Sequence, residues 1–459
     1  MRPFRAERRG NGTAHSLRIS IAPQHHRRPS AKSWSLRVAK QLRNRYFATF
    51  GCSGQSGPAR TDIMLSSTCA ACGASGAKKD CGRCKTTYCS VACQTQHWKE
   101  GGHKDLCKRI KRGGGAEQYH ADKRYAEASK EAIEACAEAT KGQTCYICRD
   151  ERSTEGLVRG CACHTTEGFA HLSCLVKEAQ VVCEDELRQH DTKIWNKWTE
   201  CSLCRQRYHG AVALAMAWAS WKTYASRPEG DMLRGYTLSA VAVAHYAAGR
   251  GGDALSAATA YRDWCRQFSP GNMVGAYENL ALVYTQLGRH DEAVPMLQNV
   301  RAAKKLRLRG SETPASVTAL LNLSVSLAQA GRHTEAIQLL SKERPAACQA
   351  LGEDHVHCLC MTHVLGRAHF QHGMDSDDAT ELLAACTILR DGILRSRKVL
   401  GPDHPQTHDA EHDFVLAMEA LEKAGCEANL LEKLCSGVLR GGWHSKEYEP
   451  RSRPGPWKK

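Results

Sequence analysis

Large and small side chains follow a fixed order through the second half of the chain. A large residue is followed directly by a small one and, three positions later, by another large one at Val241-Ala242-His245, Leu280-Ala281-Tyr284 and Leu323-Ser324-Leu327. Large residues at i and i+4 lie on one face of a helix, and the small residue between them lets a second helix approach closely. The pattern therefore predicts antiparallel helix pairs.

Turn signals recur in the same stretch. Ala-Gly-Arg begins at residue 248, and related Gly-Arg-His signals follow at 287–290 and 330–333, at offsets of 39 and 43. Repeats of this length are typical of helical solenoids. The units resemble the tetratricopeptide repeat in the longer form found in kinesin light chains. The resemblance implies an α-α solenoid over residues 230–440 with a peptide-binding concave groove.

Two asparagines occupy equivalent places in this solenoid. Asn279 and Asn322 each stand immediately before the first large residue of a unit. In related solenoids such asparagines bind the backbone of a peptide ligand, and they also bridge helices; both interpretations stay open. Several later histidines and cysteines are expected to be helix caps or core thiols, namely His355, His357, His404, His408, Cys358 and Cys360.

A separate helix is predicted ahead of the repeats. Residues 116–141 are rich in Ala, Glu and Lys, with small or apolar residues at helical spacing at Ala126, Ser129, Ile133 and Cys136. We expect a spacer helix there. The longest strongly apolar run, 211–219, is too short to span a membrane, so no membrane association is expected.

The net charge of +16 is concentrated at the N-terminus. Residues 1–60 carry 11 Arg and 2 Lys against one acidic residue, Glu7, and the remainder of the chain carries only +4. Phosphate binding needs cations clustered on a folded surface, so nucleic acid is a disfavoured partner. Residues 1–63 fit a disordered basic tail or an over-extended reading frame ahead of Met64, an organelle transit peptide, or a nucleic-acid-binding tail. Residues 441–459 fit a disordered tail.

Cysteine usage points to metal binding. Of the 24 cysteines, fourteen lie in closely spaced Cys/Cys or Cys/His pairs between residues 69 and 204. No signal-peptide pattern is recognisable, and such pairs are typical of metal sites in a reducing compartment rather than of disulfides. We expect an intracellular protein, cytoplasmic or nuclear, with organelle targeting by the N-terminal segment as the alternative.

The first cysteine-rich segment offers eight zinc ligands in four pairs: Cys69/Cys72, Cys81/Cys84, Cys89/Cys93 and His103/Cys107. Sulfur and imidazole ligands in this number suit two closed tetrahedral zinc sites. The order Tyr88-Cys89-Ser90-x2-Cys93-Gln94-x3-Trp98, with His103-Lys104-x2-Cys107, resembles the MYND finger over residues 69–107. The resemblance implies that Cys69, Cys72, Cys89 and Cys93 bind one zinc and that Cys81, Cys84, His103 and Cys107 bind the other.

The MYND resemblance also implies a peptide-contacting surface. Gln94 and Trp98 are its candidates, with packing of Trp98 on the zinc-binding turn as the alternative. Two glycines, 101 and 102, lengthen the spacing from Trp98 to His103 relative to the family, which makes His97 a rival ligand. His103 is preferred because His97 lies four residues after Cys93 on the same predicted helix.

A second set of eight ligands follows at Cys145/Cys148, Cys161/Cys163, His171/Cys174 and Cys201/Cys204. Two spacings differ from those of a PHD finger: one residue separates Cys161 from Cys163, and seven residues separate Cys163 from His171. Both features resemble the RING-CH finger, a RING variant of ubiquitin ligases, over residues 145–208. The resemblance implies a cross-brace in which Cys145, Cys148, His171 and Cys174 bind one zinc and Cys161, Cys163, Cys201 and Cys204 another. The chain would then hold about four zinc ions.

RING fingers act by docking a ubiquitin-conjugating enzyme and positioning its thioester, so no catalytic residue is expected. The resemblance assigns docking to Ile147 and Leu203 and contact with the donor ubiquitin to Arg205. Glu178 stands where the family usually has tryptophan, and 26 residues separate Cys174 from Cys201, slightly more than usual. Trp195 and Trp198, just before Cys201, are candidates for aromatic surface, and His164 and Cys183 are spare potential ligands.

These patterns predict a mostly α chain with two small zinc-stabilised modules followed by a solenoid. One function that fits is an E3 ubiquitin ligase, in which the solenoid and MYND finger select a protein substrate and the RING-like module recruits a conjugating enzyme. The other is a non-enzymatic scaffold with two structural zinc modules and a peptide-binding groove. Ubiquitin transfer in a reconstituted reaction distinguishes them.

Overall fold

The structure is a computed structural model that describes residues 69–74, 77–150, 153–161, 163, 168–187, 196–307, 312–402 and 404–438. The predicted terminal tails, 1–63 and 441–459, lie outside the described residues, as do Trp195 and His164.

Two hairpins and four helices form the N-terminal part. Its elements are β1 (Lys79–Asp80), β2 (Thr87–Tyr88), α1 (Val91–Lys99), α2 (His103–Arg112), α3 (Ala116–Cys136), β3 (Leu157–Val158), β4 (Ala170–His171) and α4 (Leu172–Leu187). Strands β1 and β2 pair antiparallel with Lys79 opposite Tyr88, and β3 and β4 pair antiparallel with Leu157 opposite His171. Each hairpin delivers a predicted zinc ligand to its end.

In its described residues, the C-terminal part consists of helices joined by short turns. Its helices are α5 (Gly210–Tyr224), α6 (Met232–Ala247), α7 (Gly251–Phe268), α8 (Met273–Gln286), α9 (His290–Arg307), α10 (Pro314–Gln329), α11 (His333–Leu351), α12 (Val356–Ser376), α13 (Ala379–Val399), α14 (Pro405–Lys423) and α15 (Ala428–Cys435), with a single 3₁₀ turn at Pro270–Asn272. This architecture confirms the predicted fold class of two small modules followed by an α-α solenoid.

Small residues make the helix contacts of the solenoid. Ala242, Ala281 and Ser324 are at most 1% exposed, as the large-small-large pattern predicts. Gly366 of α12 continues the series 42 residues after Ser324. A Cβ atom at Gly366 would lie 2.7 Å from the Leu389 Cγ of α13, so the two helices approach too closely there for a larger side chain.

Two of the four predicted histidine caps begin helices. The Nδ1 of His355 accepts a hydrogen bond from the His357 N–H, and the Nδ1 of His404 accepts one from the Gln406 N–H, each at 3.2 Å. His357 and His408 lie instead inside the first turns of α12 and α14. Cys358 is fully buried, as expected of a core thiol.

Helix α3 was predicted to be a spacer, and it packs along α5 at the start of the helical stack. Ala121, Ala128 and Ala132 are buried in a core that continues into α6, α7 and α8. Arg250, in the turn before α7, pairs with Glu131 of α3 at 2.5 Å. The helix therefore covers the first layer of the solenoid, whose apolar face would otherwise meet water.

The far end of the solenoid returns to the second cysteine-rich module. The Gln206 Nε2 donates to the Leu400 carbonyl oxygen at 3.5 Å, and the His209 and His404 rings lie 6.0 Å apart between centroids. Residues 206–209 follow the last predicted zinc ligand directly. The loop between α13 and α14 thus contacts a segment almost 200 residues earlier in the chain.

The apolar run 211–219 lies within α5, a helix whose side chains are mostly buried between α3 and α6. Among the described helices, none combines the length and the apolar character that crossing a membrane requires.

Candidate zinc centres

Four Cys-x2-Cys turns share one backbone geometry. In each, the N–H of the residue after the second cysteine donates to the carbonyl of the first cysteine at 2.8–3.0 Å. That residue has φ between +52° and +76°, and it is Gly73, Lys85, Arg149 or Arg205. Left-handed backbone costs a residue other than glycine about 1–2 kcal/mol, so three of the four turns need another source of stability. A bound metal ion would supply it.

The first module brings its eight predicted ligands together as two groups. Cys69, Cys72, Cys89 and Cys93 form one, and Cys81, Cys84, His103 and Cys107 form the other, with the donor atoms of each group within 4.8 Å of one another. In the first group, the Sγ atoms of Cys89 and Cys93 lie 3.4 Å apart. In the second, the Cys84 Sγ lies 3.5 Å from the His103 Nε2.

His97 lies outside both groups. Its Nδ1 is 3.0 Å from the Tyr88 hydroxyl, and its ring stacks on the His103 ring with centroids 5.2 Å apart. The buried His103 begins α2 and points its Nε2 at Cys84. The arrangement therefore gives His103 the ligand position and His97 a supporting one behind it.

The second module also forms two groups, with donor atoms again within 4.8 Å in each: Cys145, Cys148, His171 and Cys174, and Cys161, Cys163, Cys201 and Cys204. The Cys148 Sγ lies 3.3 Å from the His171 Nδ1, and the Cys163 Sγ lies 3.8 Å from the Cys201 Sγ. Strand β4 ends at His171, and Cys174 occupies the first turn of α4. This is the interleaved order of a cross-brace.

The spacing of the donors fits tetrahedral zinc. Sulfur atoms bound at about 2.3 Å in a tetrahedron are about 3.8 Å apart, and a sulfur and an imidazole nitrogen are about 3.6 Å apart. Eight Sγ–Sγ and Sγ–N distances within the groups lie between 3.3 and 3.8 Å. Four protein donors leave no coordination position for water, so such sites would be structural rather than catalytic.

Each module contains thiols whose pKa lies below the usual value, among them Cys69 in the first module and Cys201 in the second. The hydrogen bond with Cys161 lowers the pKa of Cys201 to about 5, although burial opposes the shift. Burial also acts to raise the pKa of Cys69, yet hydrogen bonds from the backbone N–H groups of Cys89 and Cys72 lower it to about 6. The thiolate is the form that binds zinc.

The candidate peptide-contacting residues of the first module lie on α1, which has no buried residue. Trp98 is 38% exposed, and its ring lies edge-on to the His103 ring with centroids 5.8 Å apart. Gln94 is half-buried on the same helix. Trp98 thus packs on the zinc-binding turn with one edge and faces solvent with the other.

The candidate docking residues of the second module are exposed. Ile147 is 37% and Leu203 45% exposed, and Arg205, two residues after Leu203, is also exposed. Glu178 of α4 joins the turns that carry them, because its carboxylate accepts a hydrogen bond from Ser202 at 2.6 Å and lies 3.5 Å from the Tyr146 hydroxyl. Sequence identified Glu178 only as a departure from a family pattern.

Trp198, a candidate for aromatic surface, and Cys183, a spare potential ligand, both lie in the core. Trp198 is 1% exposed and packs edge-on against Tyr224 with centroids 5.8 Å apart, so it forms core rather than aromatic surface. Cys183 is fully buried in the same core. It belongs to none of the four donor groups in the described residues.

The two solenoid asparagines bridge neighbouring helices. The Asn279 Nδ2 donates to the Ser239 hydroxyl at 2.9 Å, and the Asn322 Nδ2 donates to a Glu278 carboxylate oxygen at 3.0 Å. Glu278 in turn accepts from the Lys304 Nζ at 2.6 Å. The amide nitrogens therefore serve packing between successive units.

Two family models match parts of the chain. The MYND finger matches residues 69–107, and the tetratricopeptide repeat matches residues 272–349. These matches confirm the MYND and tetratricopeptide interpretations, and they support zinc binding and protein interaction as properties of the chain. The RING-CH interpretation of residues 145–208 stays a prediction.

Similar proteins extend over limited parts of the chain. Ubiquitin carboxyl-terminal hydrolase 19 of Arabidopsis thaliana is 46% identical over 77 residues, which make up 16% of this chain and 11% of that protein. This chain therefore spans about a tenth of that curated relative. Two structures of a Podosopora anserina protein described as a kinesin light chain with nearly identical TPR-like repeats are 22% and 21% identical. Each match covers 45% of this chain, with a TM-score of 0.34. The matches cover 94% and 95% of the two Podosopora anserina chains.

Proposed function

We propose that this zinc-binding protein-interaction adaptor is a ubiquitin ligase. The second zinc module recruits a ubiquitin-conjugating enzyme, and the MYND finger and the solenoid hold the substrate protein. The single observation that carries the proposal is the exposure of Ile147 and Leu203, at 37% and 45%, on two turns joined by Glu178. Apolar side chains presented together on metal-stabilised turns are suited to docking a protein.

Each of the four donor groups is assigned one structural zinc ion. Structural zinc contributes about 10–16 kcal/mol of apparent binding free energy in small modules, more than the cost of the left-handed residues in the turns. The metal holds the turns in shape and takes no part in ubiquitin transfer. The chain's own contribution to the reaction is to position the charged conjugating enzyme.

The path of the chain supports delivery of a substrate to this module. The loop between α13 and α14 contacts residues 206–209, directly after the last zinc ligand, through Gln206 and Leu400. A protein segment held by the last repeats would therefore lie beside the docked enzyme. Because Asn279 and Asn322 bond to neighbouring helices, we expect other side chains of the groove to determine which peptide binds.

The test is a reconstituted reaction with activating enzyme, a panel of conjugating enzymes and ubiquitin. Ile147→Ala and Leu203→Ala are expected to reduce chain formation at least ten-fold, because each removes an apolar contact of the docked enzyme. The matched control is Val181→Ala, which alters a side chain that is 43% exposed on α4 of the same module. Zinc content should be equal in all four proteins.

A non-enzymatic scaffold is the second candidate, favoured by Glu178 in the place where RING-CH fingers usually carry tryptophan. On that hypothesis the wild-type chain forms no ubiquitin chains with any conjugating enzyme, while it still binds zinc and peptides. Absence of transfer by the wild-type chain would therefore reject the ligase proposal.

A further inference from the structure

Helix α2 of the first module has a buried face and a strongly basic face. The buried residues are His103, Cys107 and Ile110. All five Lys and Arg residues of the helix are exposed. We call four of them, Lys104, Lys108, Lys111 and Arg112, the basic stripe; the fifth, Arg109, lies beside it. At about 100° per residue, these four positions fall within an arc of about 100° on the helix surface. The stripe therefore presents its charges in one direction.

No residue of the basic stripe forms an ion pair within the described part of the chain. Lysines of helix α3 and of the turn after it do form ion pairs. Lys123, Lys130 and Lys141 each lie 2.7–3.8 Å from a glutamate three or four residues away. Within the stripe, Lys104, Lys108 and Arg112 are like charges at successive spacings of four, and Asp105, three residues before Lys108, forms no ion pair in the described part of the chain. Like charges at i and i+4 destabilise a helix, so the stripe does not serve the stability of α2.

Two structural roles for these cations compete with binding. Lys111 and Arg112 lie in the last turn, where cations interact favourably with the helix dipole. Lys104 lies in the first turn, where the same dipole is unfavourable. Zinc centres with three or four thiolates carry net negative charge, which nearby cations would offset. Zinc retention in the variants separates this last role from binding.

We propose that the basic stripe binds an acidic segment of a partner protein. The four cations lie along nine residues of helix, about 12 Å from the first to the last, which equals about four residues of an extended peptide. Trp98, 38% exposed, packs against His103 at the start of the same helix and offers an aromatic contact beside the charges. A short strip with one aromatic neighbour suits a short acidic peptide better than the long phosphate array of a duplex.

The terminal segments of the chain are poor occupants for this surface. Residues 1–60 carry 13 basic residues against one acidic residue, and residues 439–459 carry six against two. Both would be repelled by the stripe. The two tails are therefore excluded as occupants, and the proposed occupant is a segment of another protein, whose binding does not depend on ligase activity.

The test uses the zinc-loaded full chain and the fluorescence anisotropy of an end-labelled eight-residue peptide in which glutamate alternates with serine. Lys104→Gln/Lys108→Gln/Lys111→Gln removes three charges of the stripe. The matched control, Lys123→Gln/Lys130→Gln/Lys141→Gln, removes three lysines that already have acidic partners. Arms with a glutamine-for-glutamate peptide and with single-stranded and duplex DNA use the same proteins.

We expect the acidic peptide to bind the wild type and the control equally, to bind the stripe variant at least ten-fold more weakly, and to weaken as salt rises. The neutral peptide should not bind. The proposal is overturned if the stripe variant binds the acidic peptide as well as the wild type does. It is also overturned if DNA binds more tightly than the peptide in a stripe-dependent way. Loss of zinc from the stripe variant alone would assign the cations to charge balance and reject binding as their role.

Discussion

The Ser202 hydroxyl donates a hydrogen bond of 2.6 Å to the carboxylate of Glu178. The second carboxylate oxygen lies 3.5 Å from the Tyr146 hydroxyl. Tyr146 and Ser202 belong to the first and last Cys-x2-Cys turns of the second zinc module, and each directly precedes a candidate docking residue. One carboxylate therefore contacts both turns that carry the candidate docking residues Ile147 and Leu203.

Replacing Glu178 should disturb docking without releasing zinc. In Glu178→Ala the Ser202 and Tyr146 hydroxyls lose a shared acceptor, and a hydrogen bond to a charged group contributes about 1.5–3 kcal/mol. We expect ubiquitin transfer to fall several-fold, with Glu178→Gln intermediate because its amide oxygen can still accept one bond. Zinc content and transfer rate are the measurements.

The control for Glu178 is Lys177→Ala, which alters an exposed neighbour on α4. Ser202→Ala should reproduce part of the effect of Glu178→Ala, since it removes one side of the same hydrogen bond. Equal transfer by an active wild type and Glu178→Ala would show that the bridge is not needed for positioning.

Close helix approach in the solenoid predicts opposite effects at two glycines. Gly366→Ala should lower the free energy of unfolding by about 1–3 kcal/mol, because its Cβ would lie 2.7 Å from Leu389 of α13. Gly275→Ala, at a helix position with no atom within 4 Å of the added Cβ, should raise it by about 0.5–1 kcal/mol.

Urea unfolding of the two alanine variants beside the wild type measures both shifts. A stabilised Gly366→Ala chain would mean that α12 and α13 separate easily at this position. In that case the small residue would not set their distance.

Sequence predicted features that depend on local spacing. The small residues Ala242, Ala281 and Ser324 could be identified because large and small positions follow helical spacing within each unit. Gly366 shares this signal, at an offset of 42 from Ser324, but the turn of its unit lacks the Gly-Arg pair that marks the turns of the others. The structure places it in the series through its contact with Leu389.

Features that depend on distant parts of the chain could not be predicted. Glu178 acquires its role only when folding brings positions 146, 178 and 202 together. Sequence predicts only a spacer helix at α3, because the helix on which it packs, α5, begins more than 70 residues after α3 ends. Trp198 reads as surface because nothing local shows that Tyr224 will cover it.

The second zinc centre of the first module distinguishes two histidines. His103→Ala should reduce zinc from about four to about three ions per chain, because a site left with three protein donors binds structural zinc weakly. His97→Ala should retain all the zinc, since the His97 Nδ1 faces the Tyr88 hydroxyl instead of the cysteines. Elemental analysis after exhaustive dialysis measures the difference. If His97→Ala loses zinc and His103→Ala does not, His97 is the ligand and His103 the supporting residue.

Stability should fall at acidic pH because of His245. The Trp218 Nε1 donates to its Nε2 at 3.1 Å. Burial, with Arg250 and Arg124 nearby, lowers the pKa of His245 to about 3, although the Asp253 carboxylate lies 3.7 Å from its Nδ1. The unfolded histidine has a pKa of about 6.5. Between these values only the unfolded chain binds the proton, so stability is retained above pH 6.5 and is lost progressively as the pH falls toward 3.

His245→Gln isolates this contribution, because glutamine does not titrate and its amide oxygen can still accept from Trp218. From pH 7.5 to pH 5.0 the wild type should lose about 2 kcal/mol more of its free energy of unfolding than the variant does. Acid release of zinc affects both proteins equally, so urea titrations of the pair at the two pH values cancel that loss. An identical pH dependence in the two proteins would mean that His245 is already protonated in the folded chain at pH 5.0, and that its burial against Trp218 does not hold it neutral.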